Sequence, residues 1–262
     1  MKLHLMYVNG SSNIDGLKKI SELANKCNYY SVLLVYHSLE NDFWIKCANV
    51  LDTTHTFKYM IAIRTYAISP EYFVMMYRGF SEIQENRIMF NIVSGDIHDS
   101  ETSVDDIIFN KENFYTSQKR VKYTHEWIKK VLSIIDKKKV PEIVMSGTSD
   151  NTLNSASVFA DYNLCMMDSF VDNPKKFKRN KNRMVCAALI IRNTYEEAEK
   201  VVDQIKQKHQ KRWTIFGTEE QVLEKIEYLK SIGVTDLMIR NHKEDNKYNL
   251  VHEFVAKNKG II

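Results

Sequence analysis

The chain alternates between short runs of apolar residues and longer segments in which apolar residues recur every three or four positions. The short runs are rich in β-branched residues and lack a polar face, which is typical of strands buried on both sides. The predicted strands are 2–8, 31–36, 59–63, 87–93, 142–145, 162–167, 182–192 and 236–240.

The longer segments predict amphipathic helices between these strands. Pro70 stands near a helix start, where its missing N–H costs nothing, and Thr194 with Glu197 has the spacing of a capping box. Helices are predicted at 15–26, 43–51, 70–83 and 117–135, from Ser149, from Thr194, as a short extra helix from Thr218, and after 240.

Strands and helices in this alternation predict an all-parallel sheet of the α/β class. Right-handed crossovers can close such a sheet into a barrel or leave it open and doubly wound. Eight repeats, with only three prolines and eight glycines in 262 residues, favour a (β/α)8 TIM barrel. No linker or low-complexity tract interrupts the pattern, so we expect one domain over residues 1–262.

The composition of the chain argues against several kinds of partner and location. The net charge of +4 rests on lysine clusters such as 137–139 without interleaved arginine and aromatic residues, which argues against nucleic acid as a partner. Four widely spaced cysteines without a CxxC motif indicate reduced thiols in a cytoplasm and no metal site. The first residues do not form a signal peptide, and no run reaches the ~18 apolar residues of a membrane span.

The chemistry of a TIM barrel lies at the carboxyl ends of its strands. The turn at 146–149 joins a predicted strand to a helix start and offers N–H groups and hydroxyls to an anion, although a plain helix cap has the same appearance. Asn91 interrupts an apolar strand, and a buried amide needs hydrogen-bond partners. Further polar residues follow strands at 36–38, 64–65, 94–95 and 216–218.

Five segments together resemble the bacterial-luciferase-like flavin monooxygenases, most closely the alkanesulfonate monooxygenase branch. They occur in the family's order and spacing and cover nearly the whole chain. The segments are SVLLVYHSLENDFW, YMIAIRTYAISPEY, NRIMFNIVSGD, PEIVMSGTSD and FGTEEQVLEKIEYLKSIGVTDLMI.

This resemblance implies a site for flavin mononucleotide (FMN) at the barrel mouth. It places the flavin phosphate at the turn after the fifth strand and the polar edge of the flavin ring at Asn91, for which a structural hydrogen bond is an equal alternative. Gly217 and Thr218 are candidates that an ordinary helix cap would also explain. The implied FMN-binding residues are Asn91, Ser94, Ser146, Gly147, Thr148, Tyr115, Gly217 and Thr218.

His37 is the candidate catalytic residue. It follows the second predicted strand, and the resemblance puts a catalytic histidine of the luciferase branch at this place. A neutral imidazole beside a flavin can act as a general base. A histidine with a purely structural role is the alternative.

Several positions depart from the alkanesulfonate branch. The arginine and histidine of its seventh strand align with Cys186 and Ala188, and its long lid-bearing insertion shrinks here to about 208–214. Its tyrosine before the fourth helix has no clear counterpart, and Tyr115 or Tyr123 is the nearest candidate. Sulfonate substrates are therefore not implied, and we expect a more open site.

No glycine-rich dinucleotide fingerprint is present, which argues against a tightly held nicotinamide cofactor. The resemblance implies a two-component monooxygenase: a separate flavin reductase supplies reduced FMN, and this protein, by the family's habit a homodimer, oxygenates a small organic or peptide substrate with O2. The alternatives are a flavin-binding protein without catalysis and a deazaflavin-dependent reductase on the same barrel.

Overall fold

The computed structural model describes residues 1–7, 14–35, 43–51, 56–94, 116–206, 208–240, 245, 247–260 and 262. The strands are β1 (Lys2–Tyr7), β2 (Ser31–Leu34), β3 (Lys58–Arg64), β4 (Ile88–Val93), β5 (Glu142–Ser146), β6 (Tyr162–Met166), β7 (Asn182–Ile191), β8 (Thr214–Gly217) and β9 (Asp236–Arg240). The helices are α1 (Ile14–Lys26), α2 (Phe43–Val50), α3 (Pro70–Ile83), α4 (Ser117–Ile134), α5 (Asp150–Phe159), α6 (Met167–Asp172), α7 (Tyr195–Asp203), α8 (Lys208–Arg212), α9 (Glu219–Ser231) and α10 (Asn249–Lys257).

Eight of these strands form a closed parallel barrel. From β1 to β7 each strand pairs with the next, and β9 closes the ring between β7 and β1. Helices cover the outside, so the strands are buried on both faces, as their continuous apolar character predicts. The α/β barrel expected from the sequence is confirmed.

The seventh strand is longer than the others and has three neighbours. Its first half pairs with β6 and β9, and residues 188–191 pair with β8. Strand β8 was not predicted, so the strand at 236–240 is the ninth in the chain and not the eighth. The helix expected to be short at Thr218 is in fact α9, which has 13 residues.

Most other predicted boundaries agree within two residues. Met167 starts α6 instead of ending the sixth strand. Thr194 does cap α7 by accepting from the N–H of Glu197, whereas the reciprocal capping box occurs at Thr218 and Gln221. Both caps satisfy N–H groups that have no partner inside a helix.

The barrel interior is layered along its axis. Its middle is packed by apolar side chains with an unusual share of methionine, a flexible residue that fills irregular space. The methionines in or against this cluster, which we call the methionine layer, are Met6, Met60, Met89, Met166, Met184 and Met238. The core between the barrel and the helices contains an aromatic cluster of Trp44, Phe73, Phe90 and Trp127, with ring centroids 4.6–5.8 Å apart between contacting pairs.

A polar network closes the amino-terminal end of the barrel; we call it the polar plug, formed by Lys2, Tyr30, Lys58, Glu142 and Tyr162. The Glu142 carboxylate accepts from the Tyr30 hydroxyl at 2.7 and 2.9 Å and from Lys58 Nζ at 3.0 Å. Lys2 Nζ donates to the Tyr162 hydroxyl at 2.8 Å. Mutual hydrogen bonds and opposite charges offset the cost of removing these groups from water.

Above the plug, three fully buried polar residues satisfy one another. His4 Nδ1 lies 2.7 Å from Ser31 Oγ, and His4 Nε2 lies 3.0 Å from Asp236 Oδ1. Burial lowers the pKa of His4 in spite of the neighbouring carboxylate. Both ring nitrogens of His4 therefore have partners, and all three residues are shielded from solvent. The trio links β1, β2 and β9.

The four cysteines are free and buried. In the part of the chain that the structure describes, no helix combines the length and the apolar character needed to cross a bilayer.

Candidate functional site

The carboxyl ends of β3, β4 and β5 bring polar side chains to one side of the barrel mouth. Asn91 and Ser146 lie on adjacent strands, and the Ser146 hydroxyl donates to Asn91 Oδ1 at 2.7 Å. Asn91 is buried, so this bond satisfies part of its amide. The structural hydrogen bond considered for Asn91 is thus present, and it ties together two residues that were both predicted to contact flavin.

The turn after β5 depends on a glycine conformation. Gly147 has a φ of +141°, and a Cβ there would lie 2.9 Å from Thr152 Cγ2. Any side chain would therefore strain the backbone and collide with α5. The glycine keeps the backbone open beside the exposed Thr148 and the start of α5.

The amino terminus of α5 is only partly capped. Ser149 Oγ accepts from the Thr152 N–H at 3.2 Å, which leaves the N–H groups of Asp150 and Asn151 without partners inside the helix. Asp150 puts a negative charge at this end, and Lys176 pairs with it at 3.1 Å. The positive charge of Lys176 therefore partly offsets the negative charge of Asp150 at this helix end.

Asn163 on β6 holds the turn from behind. Its Nδ2 donates to the carbonyls of Met145 and Gly147, both at 3.1 Å, and the Gly147 N–H donates to the Leu164 carbonyl at 3.0 Å. Asn163 is buried, so these bonds are shielded from water. Asn163 was not predicted as a site residue, because its neighbours in the sequence indicate an uninterrupted strand.

Gly217 and Thr218 form a helix cap at the end of β8. Gly217 has a φ of +139°, and a Cβ at this position would lie 2.5 Å from Gln221 Oε1. Gln221 Oε1 accepts from the Thr218 N–H at 2.9 Å, and Thr218 Oγ1 accepts from the Gln221 N–H at 3.4 Å. The ordinary cap that competed with a cofactor role is present, and both the side chain and the N–H of Thr218 take part in it.

The opposite side of the mouth, at β7 and β9, carries a cation that the sequence did not reveal. Arg240 ends β9 and stands opposite Ala188 of β7 in the register. Its guanidinium carbon lies 4.8 Å from the centre of the Trp213 ring, within range of a cation–π contact. Neighbouring Cys186 is fully buried, and burial raises the pKa of its thiol to about 12, so the thiol is neutral at physiological pH.

Other predicted residues are distributed as follows. Ser94 follows β4 and is half-buried, and Tyr123 is exposed on α4. His37 and Tyr115 lie outside the described residues, so their predicted roles remain predictions. The interval at 208–214, expected to be a short remnant of a lid, contains α8 and the first residue of β8.

No protein-family model matches the sequence. Solved structures match it over almost its full length. An EDTA monooxygenase from a Chelativorans species has a TM-score of 0.77 at 12% identity, with 100% of this chain and 94% of that chain covered. An F420-dependent secondary alcohol dehydrogenase has a TM-score of 0.71 at 12% identity, with 100% and 98% covered. A riboflavin lyase, solved with modified FMN and riboflavin, has a TM-score of 0.71 at 11% identity, with 98% and 90% covered.

These likenesses establish the class of fold. The chain shares its barrel fold with these three proteins, so the TIM barrel expected from the sequence is confirmed. None of the three is an alkanesulfonate monooxygenase, and at such low identity the likeness carries the fold alone.

Proposed function

We propose that this protein is a flavin-dependent monooxygenase that receives reduced FMN from a separate reductase and uses O2 to oxygenate a small organic or peptide substrate. The observation that carries the proposal is the turn at Ser146, Gly147 and Thr148. It lies at the carboxyl-terminal end of a barrel, where the chemistry of this fold takes place, and the structural relatives include a riboflavin lyase solved with modified FMN and an F420-dependent secondary alcohol dehydrogenase.

The residues at this turn fit a phosphate. Gly147 keeps the backbone free of a Cβ, two N–H groups of α5 have no partner inside the helix, and Thr148 is an exposed residue with a hydroxyl group. N–H groups at a helix start and hydroxyls are the donors that phosphate oxygens accept from. Lys176, paired with Asp150, partly offsets the carboxylate at the first residue of α5.

The bound flavin would supply the redox chemistry with oxygen, and the protein would supply binding and orientation. The Ser146 hydroxyl has one proton, which Asn91 Oδ1 accepts in this structure, so Ser146 would turn away from Asn91 to donate to a phosphate, and Asn163 would hold the turn in place. His37 remains the proposed general base. A homodimer and a flavin reductase remain proposed partners.

A second candidate is a reductase or dehydrogenase that uses the deazaflavin F420. It is favoured by structural likeness to an F420-dependent secondary alcohol dehydrogenase and to an F420-dependent tetrahydromethanopterin reductase, the latter with a TM-score of 0.64 at 11% identity. Deazaflavin chemistry transfers hydride and does not need O2, so the two candidates differ in a measurable way.

Calorimetry with FMN, riboflavin and F420 tests both candidates. We expect FMN to bind more tightly than riboflavin, and the S146A/T148A double variant to weaken FMN by about 100-fold or more, because each hydrogen bond to a charged group is worth about 1.5–3 kcal/mol. Riboflavin should be nearly unaffected. S133A, on the exposed face of α4, serves as the matched hydroxyl control.

The outcomes separate the candidates. Binding of F420 with no affinity for FMN would replace the first proposal by the second. Unchanged FMN affinity in a folded S146A/T148A variant would remove the phosphate from this turn. Oxygenation of a substrate that depends on reduced FMN supports the monooxygenase, and a decrease of roughly 100- to 10,000-fold in the rate of oxygen transfer in H37A supports the role of His37.

A further inference from the structure

The β7–β9 side of the barrel mouth holds a guanidinium group with no acidic partner among the described residues. Arg240 has its Nε buried, and within that part of the chain no atom accepts a hydrogen bond from it. A buried donor without an acceptor destabilises the protein, because the group has lost its hydrogen bonds to water. A ligand that accepts a hydrogen bond from Arg240 Nε would remove this unfavourable contribution.

Arg240 faces the interior of the barrel. Alternate residues of a strand share a face, and the two preceding residues with the same parity both point inward: Asp236 contacts His4, and Met238 belongs to the interior cluster. Arg240 is the last residue of this column, at the carboxyl end where the barrel opens.

Trp213 and Ala188 hold the guanidinium in place. Strand β8 lies on the edge of β7 opposite to β9, so Arg240 reaches Trp213 by crossing over β7 at Ala188, whose methyl group leaves room. Trp213 is only 4% exposed, which makes it a fixed platform. Stacking uses the flat face of a guanidinium, while its N–H groups lie in the plane and stay available to an acceptor.

The neighbouring arginine shows the contrast. Arg192, just after β7, is also buried, but its Nη2 donates to Asp245 Oδ1 at 2.5 Å. The fold thus supplies a carboxylate to one cation at this end. For the other, the adjacent Cys186 is a neutral thiol and cannot balance the charge.

We propose that Arg240 binds an oxyanion of the substrate, and that the substrate is a small organic anion of the carboxylate type. Its charged end would lie at Arg240 and its apolar part on the methionine layer, beside Met238 and Met184. The assignment of this anion to a substrate rests on the proposed function, which gives the turn after β5, three strands away around the barrel, to the flavin phosphate. A guanidinium fork matches the two oxygens of a carboxylate.

Hexanoate and its neutral isostere hexanamide are the probes, because they differ in charge at nearly constant shape. Calorimetry on the full chain, with and without FMN, should show hexanoate binding at least tenfold more tightly than hexanamide, the factor that one charge-assisted hydrogen bond supplies. R240M keeps the apolar stem and should abolish this preference. R240K should retain part of it.

R212M is the matched control, because Arg212 is an exposed arginine paired with Asp172 on the surface. It should keep the wild-type preference. If R240M does not fold, as judged by circular dichroism, R240Q takes its place with the same expected loss.

Two results would overturn the proposal: equal affinities for both probes in the wild type, or a preference that survives in R240M. A third would reassign Arg240: if R240M weakens FMN more than tenfold and leaves riboflavin unchanged, the anion is the cofactor's phosphate and not the substrate's. The measurement without FMN keeps the two proposals separate, since absence of FMN binding with an intact hexanoate preference contradicts only the proposed function.

Discussion

Gly147 shows how one residue determines the geometry of the candidate site. Its φ of +141° is a region that side chains avoid, and the added Cβ would meet Thr152 at 2.9 Å. We therefore expect G147A to lower the free energy of unfolding by about 1–3 kcal/mol and to weaken FMN binding. Denaturant titration and calorimetry measure the two effects.

Gly79 provides the matched control for this prediction. It lies within α3, and a Cβ there would have open space around it. G79A should stabilise the protein by about 0.5–1 kcal/mol, since alanine favours a helix over glycine. Equal effects of G79A and G147A would show that Gly147 is not constrained by its turn.

The residues of the site differ in how far sequence alone could identify them. Ser146, Gly147 and Thr148 follow an apolar run directly, so their place at a strand end could be predicted locally. Arg240 also ends a predicted strand, but its position opposite Ala188 depends on strand order and register, which are not local properties. Its contact with Trp213 requires β8, and that strand was not predicted.

At the scale of elements, the strands that form the barrel were predictable because each buries both faces and is apolar throughout. Strand β8 was not predicted, because four residues are too few to show an alternation of apolar and polar positions. Its pairing partner, the second half of β7, is also distant in the sequence. The helix after it begins at a complete capping box, which marks its start but not its 13-residue length. Short elements are defined by their neighbours more than by their own sequence.

The last helix, α10, is attached through a buried histidine. His252 Nδ1 lies 3.1 Å from the Tyr29 hydroxyl, and its ring packs edge-on to Tyr248 at 4.6 Å. Burial lowers the pKa of His252 to about 4. Below the ordinary pKa of 6.5 the unfolded chain therefore takes up a proton that the folded chain does not.

This pKa difference predicts a loss of stability as the pH falls. Between pH 6.5 and 5 the contribution of His252 should drop by about 1.5 kcal/mol. In H252N, which cannot titrate there, denaturant unfolding should show a correspondingly shallower pH dependence. H209N, at an exposed histidine of α8, should keep the wild-type slope; an identical slope in H252N would refute the assignment.

At the scale of the whole molecule, the two ends of the barrel have different chemistry. The polar plug at the amino-terminal end pairs its charges internally, whereas the carboxyl-terminal mouth combines a glycine-dependent turn with an arginine that no described carboxylate neutralises. Between them lies the methionine layer, which isolates one polar region from the other. In TIM barrels generally the amino-terminal end contributes stability and the carboxyl-terminal end binds ligands, and the function proposed for this protein follows that division.

The variant E142Q tests this division. Burial acts to raise the pKa of Glu142, but hydrogen bonds from Tyr30 and Lys58 outweigh it and hold the pKa below its ordinary value. Its stabilising contribution is therefore present at neutral pH and is lost as the pH falls through the lowered pKa. At pH 7 we expect E142Q to cost about 1–3 kcal/mol of unfolding free energy, because the carboxamide leaves Lys58 without its counter-charge.

The same variant should leave the mouth unaffected, so FMN affinity and the hexanoate preference should stay within about twofold of wild type, a difference of less than 0.5 kcal/mol. E126Q removes one partner of the exposed Lys129 pair and should change stability by less than about 0.5 kcal/mol. A K58M/E142Q double variant should cost less than the sum of its single variants, because the two residues share one interaction. If E142Q instead weakened FMN as strongly as S146A/T148A at unchanged stability, the plug would belong to the site, and the separation of the two ends would be wrong.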